Sequence, residues 1–133
     1  MKDLFKKFGL DINKFKTGEY EGDIDISSRN LLGLVEFGKL GIKKVTGDFS
    51  CSNNKITSLE YCPNNIGGYF DCSNNKISSV SNIPHNINYF DCRDNKIVEL
   101  SDTFCFDVTR MGCDKELKNT ERYKLLLGLY SIK

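Results

Sequence analysis

Six cysteines and one histidine are the residues of this 133-residue chain best suited to chemistry, and their spacing decides which chemistry is open to them. Cys51, Cys72 and Cys92 lie inside three near-copies of one octapeptide: FSCSNNKI from Phe49, FDCSNNKI from Phe70 and FDCRDNKI from Phe90. A metal site, a redox site and a structural unit stacked on itself would each repeat a cysteine in this way. Zinc favours Cys-x2–4-Cys pairs, because one tight turn then presents two ligands to one ion. No such pair occurs among Cys51, Cys62, Cys72, Cys92, Cys105 and Cys113. The expectation is six reduced, mostly buried thiols acting as small hydrophobes, with no metal and no cofactor.

The sole histidine, His85, sits in the turn-like stretch NIPHNIN with no Ser-His or Cys-His constellation close in sequence. Glycine patterns that cradle phosphates or dinucleotides are absent, and DCSNN lacks the spacing and closing glutamate of a calcium loop. A non-enzyme is expected. Apolar residues make up 39% and charged residues 28%, the balance of a soluble, single globular domain. No apolar run approaches the roughly 18 residues of a membrane span. The N-terminal MKDLFKKFGLDINKFK lacks a secretory signal pattern, so a cytoplasmic location is expected. A net charge of +1 gives no general attraction to nucleic acid, and the lysines at 2, 6, 7, 14 and 16 read as a solvated helix face.

The octapeptides belong to longer units beginning at Gly47, Gly68 and Asn88, with a divergent earlier copy from Gly22 and a shortened fifth strand expected at Phe106-Asp-Val-Thr109. Self-similarity at a period near 20 residues is a solenoid signature. Within each unit apolar residues alternate, as at Phe70 and Cys72, which predicts a strand with one buried face. Ser-Asn-Asn then turns the chain, and Asn54, Asn75 and Asn95 are expected to form a column of buried amides that satisfies the bent backbone. The repeated cysteines are then inward residues stacked about 4.8 Å apart, and Lys55, Lys76 and Lys96 form a solvated edge.

The order apolar-x-apolar-x-x-Asn-x-apolar, filled by Phe, Cys, Asn and Ile, resembles the leucine-rich repeat. The short unit, with Pro63-x-x-Ile66 and Pro84-x-x-Ile87 ahead of two strands, is similar to the short bacterial and phage-type subfamily. The resemblance implies an α/β-type repeat solenoid with a concave parallel sheet of four to five strands and irregular convex segments. Divided accordingly, residues 1–21 form an N-terminal cap, 22–109 the repeats and 110–133 a C-terminal helical cap. Arg29 stands where the first copy should carry its column Asn, and the longer link from Leu34 to Gly47 has room for a helical turn. Leu4, Phe5, Phe8, Leu10, Ile12 and Phe15 predict an amphipathic N-terminal cap helix, while Tyr123, Leu126, Leu127 and Tyr130 predict the C-terminal one.

If Phe and Cys point inward, their neighbours line the opposite face. These are Asp23, Asp25, Asp48, Tyr69, Asp71, Tyr89, Asp91 and Arg93, with Asp107 from the fifth strand. One reading of polar residues on an exposed sheet is that they only keep it soluble, yet in-register carboxylates repel one another. The functional reading is a face that binds a basic protein partner, with tyrosines as anchors and aspartates steering association. Such a face repels nucleic-acid phosphates. The resemblance implies a monomeric inhibitor, decoy or adaptor, in its sharpest form a phage-encoded inhibitor of a host defence or DNA-processing protein. The alternative is a self-assembling structural component.

Overall fold

The backbone turn in each unit is made by two adjacent residues with different tasks. Ser28, Asn53, Asn74 and Asp94 adopt the left-handed conformation, with φ of 56°, 54°, 56° and 58°. Asn and Asp tolerate that region better than most side chains. The next residue in three of the four units is the column asparagine. Asn75 donates from Nδ2 to the carbonyls of Cys51, Cys72 and Ser73, while its Oδ1 accepts from Ile56 N–H at 3.0 Å. Asn54 serves Ile26, Cys51 and Ser52 in the same way, and Asn95 serves Cys72, Cys92 and Arg93. One side chain thus satisfies its own turn and the turn before it.

In this computed structural model, which describes residues 1–102, 104 and 106–132, those turns link short strands into a β-solenoid of about four turns. The elements run α1 (Lys2–Lys7), β1 (Phe15–Lys16), β2 (Glu19–Tyr20), β3 (Ile24–Asp25), α2 (Val35–Gly38), β4 (Lys44–Val45), β5 (Phe49–Ser50), β6 (Asn65–Ile66), β7 (Tyr69–Asp71), β8 (Tyr89–Asp91), β9 (Met111–Gly112), α3 (Lys115–Lys118) and α4 (Glu121–Ser131). A parallel five-stranded sheet is ordered β3-β5-β7-β8-β9, with Ile24, Phe49, Phe70, Phe90 and Met111 in register. A second sheet is ordered β1-β2-β4-β6, antiparallel at its first pair and parallel afterwards, and Asn86 adds one bridge to Asn65. The segments expected to be irregular thus include a second sheet.

The core between the sheets is held by an aromatic spine. Phe49, Phe70 and Phe90 stack with centroids 5.7 and 5.5 Å apart. Phe37 and Phe8 extend the series at one end, and Phe106 meets Phe90 edge-on at the other. Such ring pairs add about 1 kcal/mol each beyond the area they bury. Between β6 and β7 the chain passes too close to the preceding coil for a side chain: a Cβ on Gly67 would lie 2.2 Å from the Thr46 carbonyl oxygen.

Three expectations need correction. The fifth strand is β9, not 106–109, because the Asp107 carboxylate accepts Thr109 N–H and starts a 3-10 turn at Val108–Arg110. The N-terminal helix stops at Lys7, where Gly9 (φ 70°) reverses the chain, and Phe15 lies in a hairpin turned by Thr17 and Gly18. In α4, Tyr123 and Leu126 are buried but Leu127 is exposed. Arg29, the odd residue of the column, donates to the Lys7 and Phe8 carbonyls and ties the end of α1 to the first coil. The helical turn expected after Leu34 is α2.

Replacing Asn75 by Ala strands several turn groups at once. Equilibrium urea unfolding is expected to show a loss of about 3 kcal/mol, since an orphaned buried polar group costs ~1–3 kcal/mol. Asn82→Ala, at an exposed position, is the control and should stay within about 0.5 kcal/mol of the parent. Equal losses for the two variants would contradict the role given to the column.

Candidate functional site: the outer face of the five-stranded sheet

Strand alternation sends Phe and Cys inward and places their neighbours on the outer face. Tyr69 and Tyr89 are paired in register, and their rings stack at 5.1 Å with an interplanar angle of 29°. Tyr69 is 57% exposed, whereas Tyr89 is half-buried. Arg93 forms a two-pronged pair with Asp91, at 3.0 Å from Nε and 2.8 Å from Nη2. Gly112 in the next strand leaves room for this group. A Cβ there would lie 3.0 Å from the Tyr89 hydroxyl, 3.3 Å from Asp91 Oδ1 and 3.4 Å from Arg93 Nε.

The carboxylates of this face also hold the backbone. Asp23 accepts the N–H of Asp48 at 2.7 Å, and Asp48 accepts that of Tyr69 at 2.8 Å, so each secures the coil that follows. Gly47 and Gly68 lie at these contacts, and a Cβ on either would come within 2.0 Å of the carboxylate oxygen. Asp25, Asp71 and Asp91 each accept the N–H two residues on, at 2.9, 2.9 and 3.1 Å, which ends the strand in a side-chain-closed turn. The Ser27 hydroxyl and amide, helped by Arg29, hold the Asp25 carboxyl below its usual range. Asp91 in turn raises Arg93, fixing its positive charge.

Eight of the nine expected site residues therefore share one face. Asp107 does not: it caps the 3-10 turn and lies 3.6 Å from Arg110 Nε. Asp91 has its counter-ion in Arg93, while Asp23, Asp25, Asp48 and Asp71 have no ion-pair partner among the described residues. Sequence reasoning missed Gly112 and Asp114, whose carboxylate accepts the Asp94 and Asn95 amides and closes the asparagine column. The signal was Met111-x-Cys113, a further apolar-x-Cys pattern.

Cys51, Cys72 and Cys92 stack inside the sheet, with Cys113 after them. Burial raises the pKa of all four thiols and keeps them protonated. Cys62 is half-buried with its thiol raised likewise, and Cys105 lies outside the described residues. Among the described residues, no group of three or more His, Cys, Asp or Glu is placed to hold a metal ion. His85 is exposed on the second-sheet side. No helix among the described residues is long and apolar enough to cross a membrane. Comparison of the chain with protein-family models, with curated proteins and with solved structures found no match.

Two outcomes are expected from this arrangement. Thiol labelling of the native protein followed by peptide mapping should leave Cys51, Cys72 and Cys92 unmodified until denaturant is added; rapid native labelling would contradict their protonated, enclosed state. Asp25, with a folded pKa below its unfolded value, contributes stability above the ordinary carboxylate range and loses it as pH falls through the folded pKa. Asp25→Asn keeps an oxygen acceptor without that titration, so its unfolding midpoint should fall less than the parent's between pH 6 and pH 2.

Proposed function

We propose that this chain is a non-catalytic protein-interaction module of leucine-rich-repeat type, closed at its ends by helices, that binds a basic surface on another protein. The stacked Tyr69–Tyr89 pair carries this reading. It stands beside Asp48 and Asp71, which have no counter-ion among the described residues. Stacking restricts both rings before binding, so they lose little freedom on contact, and tyrosine is enriched at interface hot spots. Asp25, Asp48 and Asp71 supply the field that steers a Lys- or Arg-rich partner. The same field opposes nucleic-acid phosphates. In its sharpest form the module is a cytoplasmic inhibitor, encoded by a phage or bacterium, that covers the working surface of a host defence or DNA-processing protein.

A second reading, self-assembly, is favoured by one observation. Leu125, Leu129 and Ile132 are 54%, 59% and 79% exposed, at helical spacing along the end of the chain. Concentration-independent monomers in sedimentation would set it aside, and growing oligomers would favour it.

The variants that test the main reading must spare the backbone roles of the aspartates. Asp25→Asn and Asp71→Asn retain an amide oxygen for the turn, and Tyr69→Ala removes the exposed ring. Capture from bacterial lysate with the parent, followed by titration of the captured protein, should show affinity reduced by at least about tenfold in the triple variant, since hot-spot truncations cost ~2 kcal/mol or more. Equal affinity would move the site off this face.

A further inference from the structure

The second sheet is one strand shorter than the first, and its open position lies around the corner of the coil from the acidic face, just ahead of β8. Hydrogen bonds in this sheet follow a rule from coil to coil. Asn64 N–H donates to the Lys43 carbonyl and His85 N–H to the Asn64 carbonyl, at 2.9 and 2.8 Å, while Ile66 N–H donates forward to the Asn86 carbonyl at 2.8 Å. The next step would send an N–H to the His85 carbonyl and would receive the Ile87 N–H. Neither group has a hydrogen-bond partner among the described residues. The chain that should supply them is wound into the turn at Val108–Arg110. From that side the Arg110 guanidinium meets the Ile87 and Asn88 carbonyls, at 3.2 and 2.9 Å.

Beside this edge is a cavity of about 820 Å³, walled by Ile66, Pro84, Ile87, Phe104, Arg110 and Tyr130 among others. Two further features point to its occupant. Asn86 donates its amide to Asn65 Oδ1, so a side-chain amide pair reaches the edge, where the Asn86 oxygen has no partner among the described residues. The aliphatic column Val45, Ile66, Ile87 reaches the same edge in register. Main-chain groups and aliphatic position repeat what each coil presents to the next, and the amide repeats what Asn65 presents to Asn86.

We infer that the His85–Asn88 edge is a peptide-binding site for an extended segment carrying Asn followed by a β-branched aliphatic residue, added as a further parallel strand of the second sheet. The segment's N–H donates to the His85 carbonyl and its carbonyl accepts the Ile87 N–H. Its asparagine amide donates to Asn86 Oδ1, and its aliphatic side chain packs against Ile66, Ile87 and Phe104. Strand addition of this kind draws affinity from main-chain bonds and selectivity from alternate side chains. The site does not depend on the function proposed for the acidic face.

The test uses the full, isotope-labelled chain and a synthetic capped hexapeptide that copies residues 83–88, Ile-Pro-His-Asn-Ile-Asn. In the free protein the Ile87 amide should exchange with solvent at least ~100-fold faster than the Ile66 amide, which is hydrogen-bonded. Peptide at about millimolar concentration should produce saturable shifts at Asn86, Ile87 and Phe104 and slow Ile87 exchange about tenfold or more. A scrambled peptide should do neither. Asn86→Ala should weaken the response several-fold while leaving the unfolding midpoint near that of the parent. Ile87 protection equal to Ile66 in the free protein, absence of saturable shifts, or shifts confined to Tyr69 and Tyr89 would each overturn the assignment.

Discussion

A coil that turns inside a protein must find partners for carbonyls that no strand ladder can reach, and the asparagine column meets this constraint. Each column amide binds carbonyls on two successive coils while accepting an N–H of the earlier coil. The vertical spacing and register of the coils are therefore set at the turn, and the aromatic stack inherits them: Phe49, Phe70 and Phe90 are superposed because their turns are. The ends of the column differ as the constraint requires. Arg29 reaches the exposed carbonyls at the end of α1, and the Asp114 carboxylate receives the last two turn amides.

The acidic face follows from the same economy of backbone groups. A stripe of aspartates is by itself an electrostatic liability, yet each carboxylate described on this face accepts a main-chain N–H, either in the next coil or at the end of its own strand. Fixing the chain does not consume the charge. Charge and backbone support occupy the same atoms, so a partner that pairs with these carboxylates meets oxygens already locked in place, with little freedom left to lose.

Much of this was legible in the sequence because it is written three times over. Alternation at Phe and Cys, the turn at Ser-Asn-Asn and the column at Asn54, Asn75 and Asn95 are each local patterns with one physical reading. What stayed hidden depends on register between distant segments. Phe106-Asp-Val-Thr109 has strand-like alternation, but a short Asp cap starts a turn there, and Met111-x-Cys113 takes the sheet position instead. The N-terminal apolar residues fit a helical pattern, yet Gly9 breaks it and Phe15 enters a hairpin against Tyr20. The backbone work of Asp23 and Asp48 was invisible for a related reason: it depends on Gly47 and Gly68 letting the next coil come close. Nor does a sequence show which edge groups go unmet when a segment winds into a turn.

The direction in which the column works has a bearing on synthesis. Asn75 completes the turn of the coil before it, and Asn95 does the same for the next, so each coil is finished by residues that leave the ribosome about 20 positions later. Growth from the N-terminus can then proceed as a zipper, every newly emerged unit sealing its predecessor while leaving a single unsealed turn at the growing tip. With the coils sealed in that order, the unsealed polar backbone at the tip would be that of one turn, whatever the number of repeats.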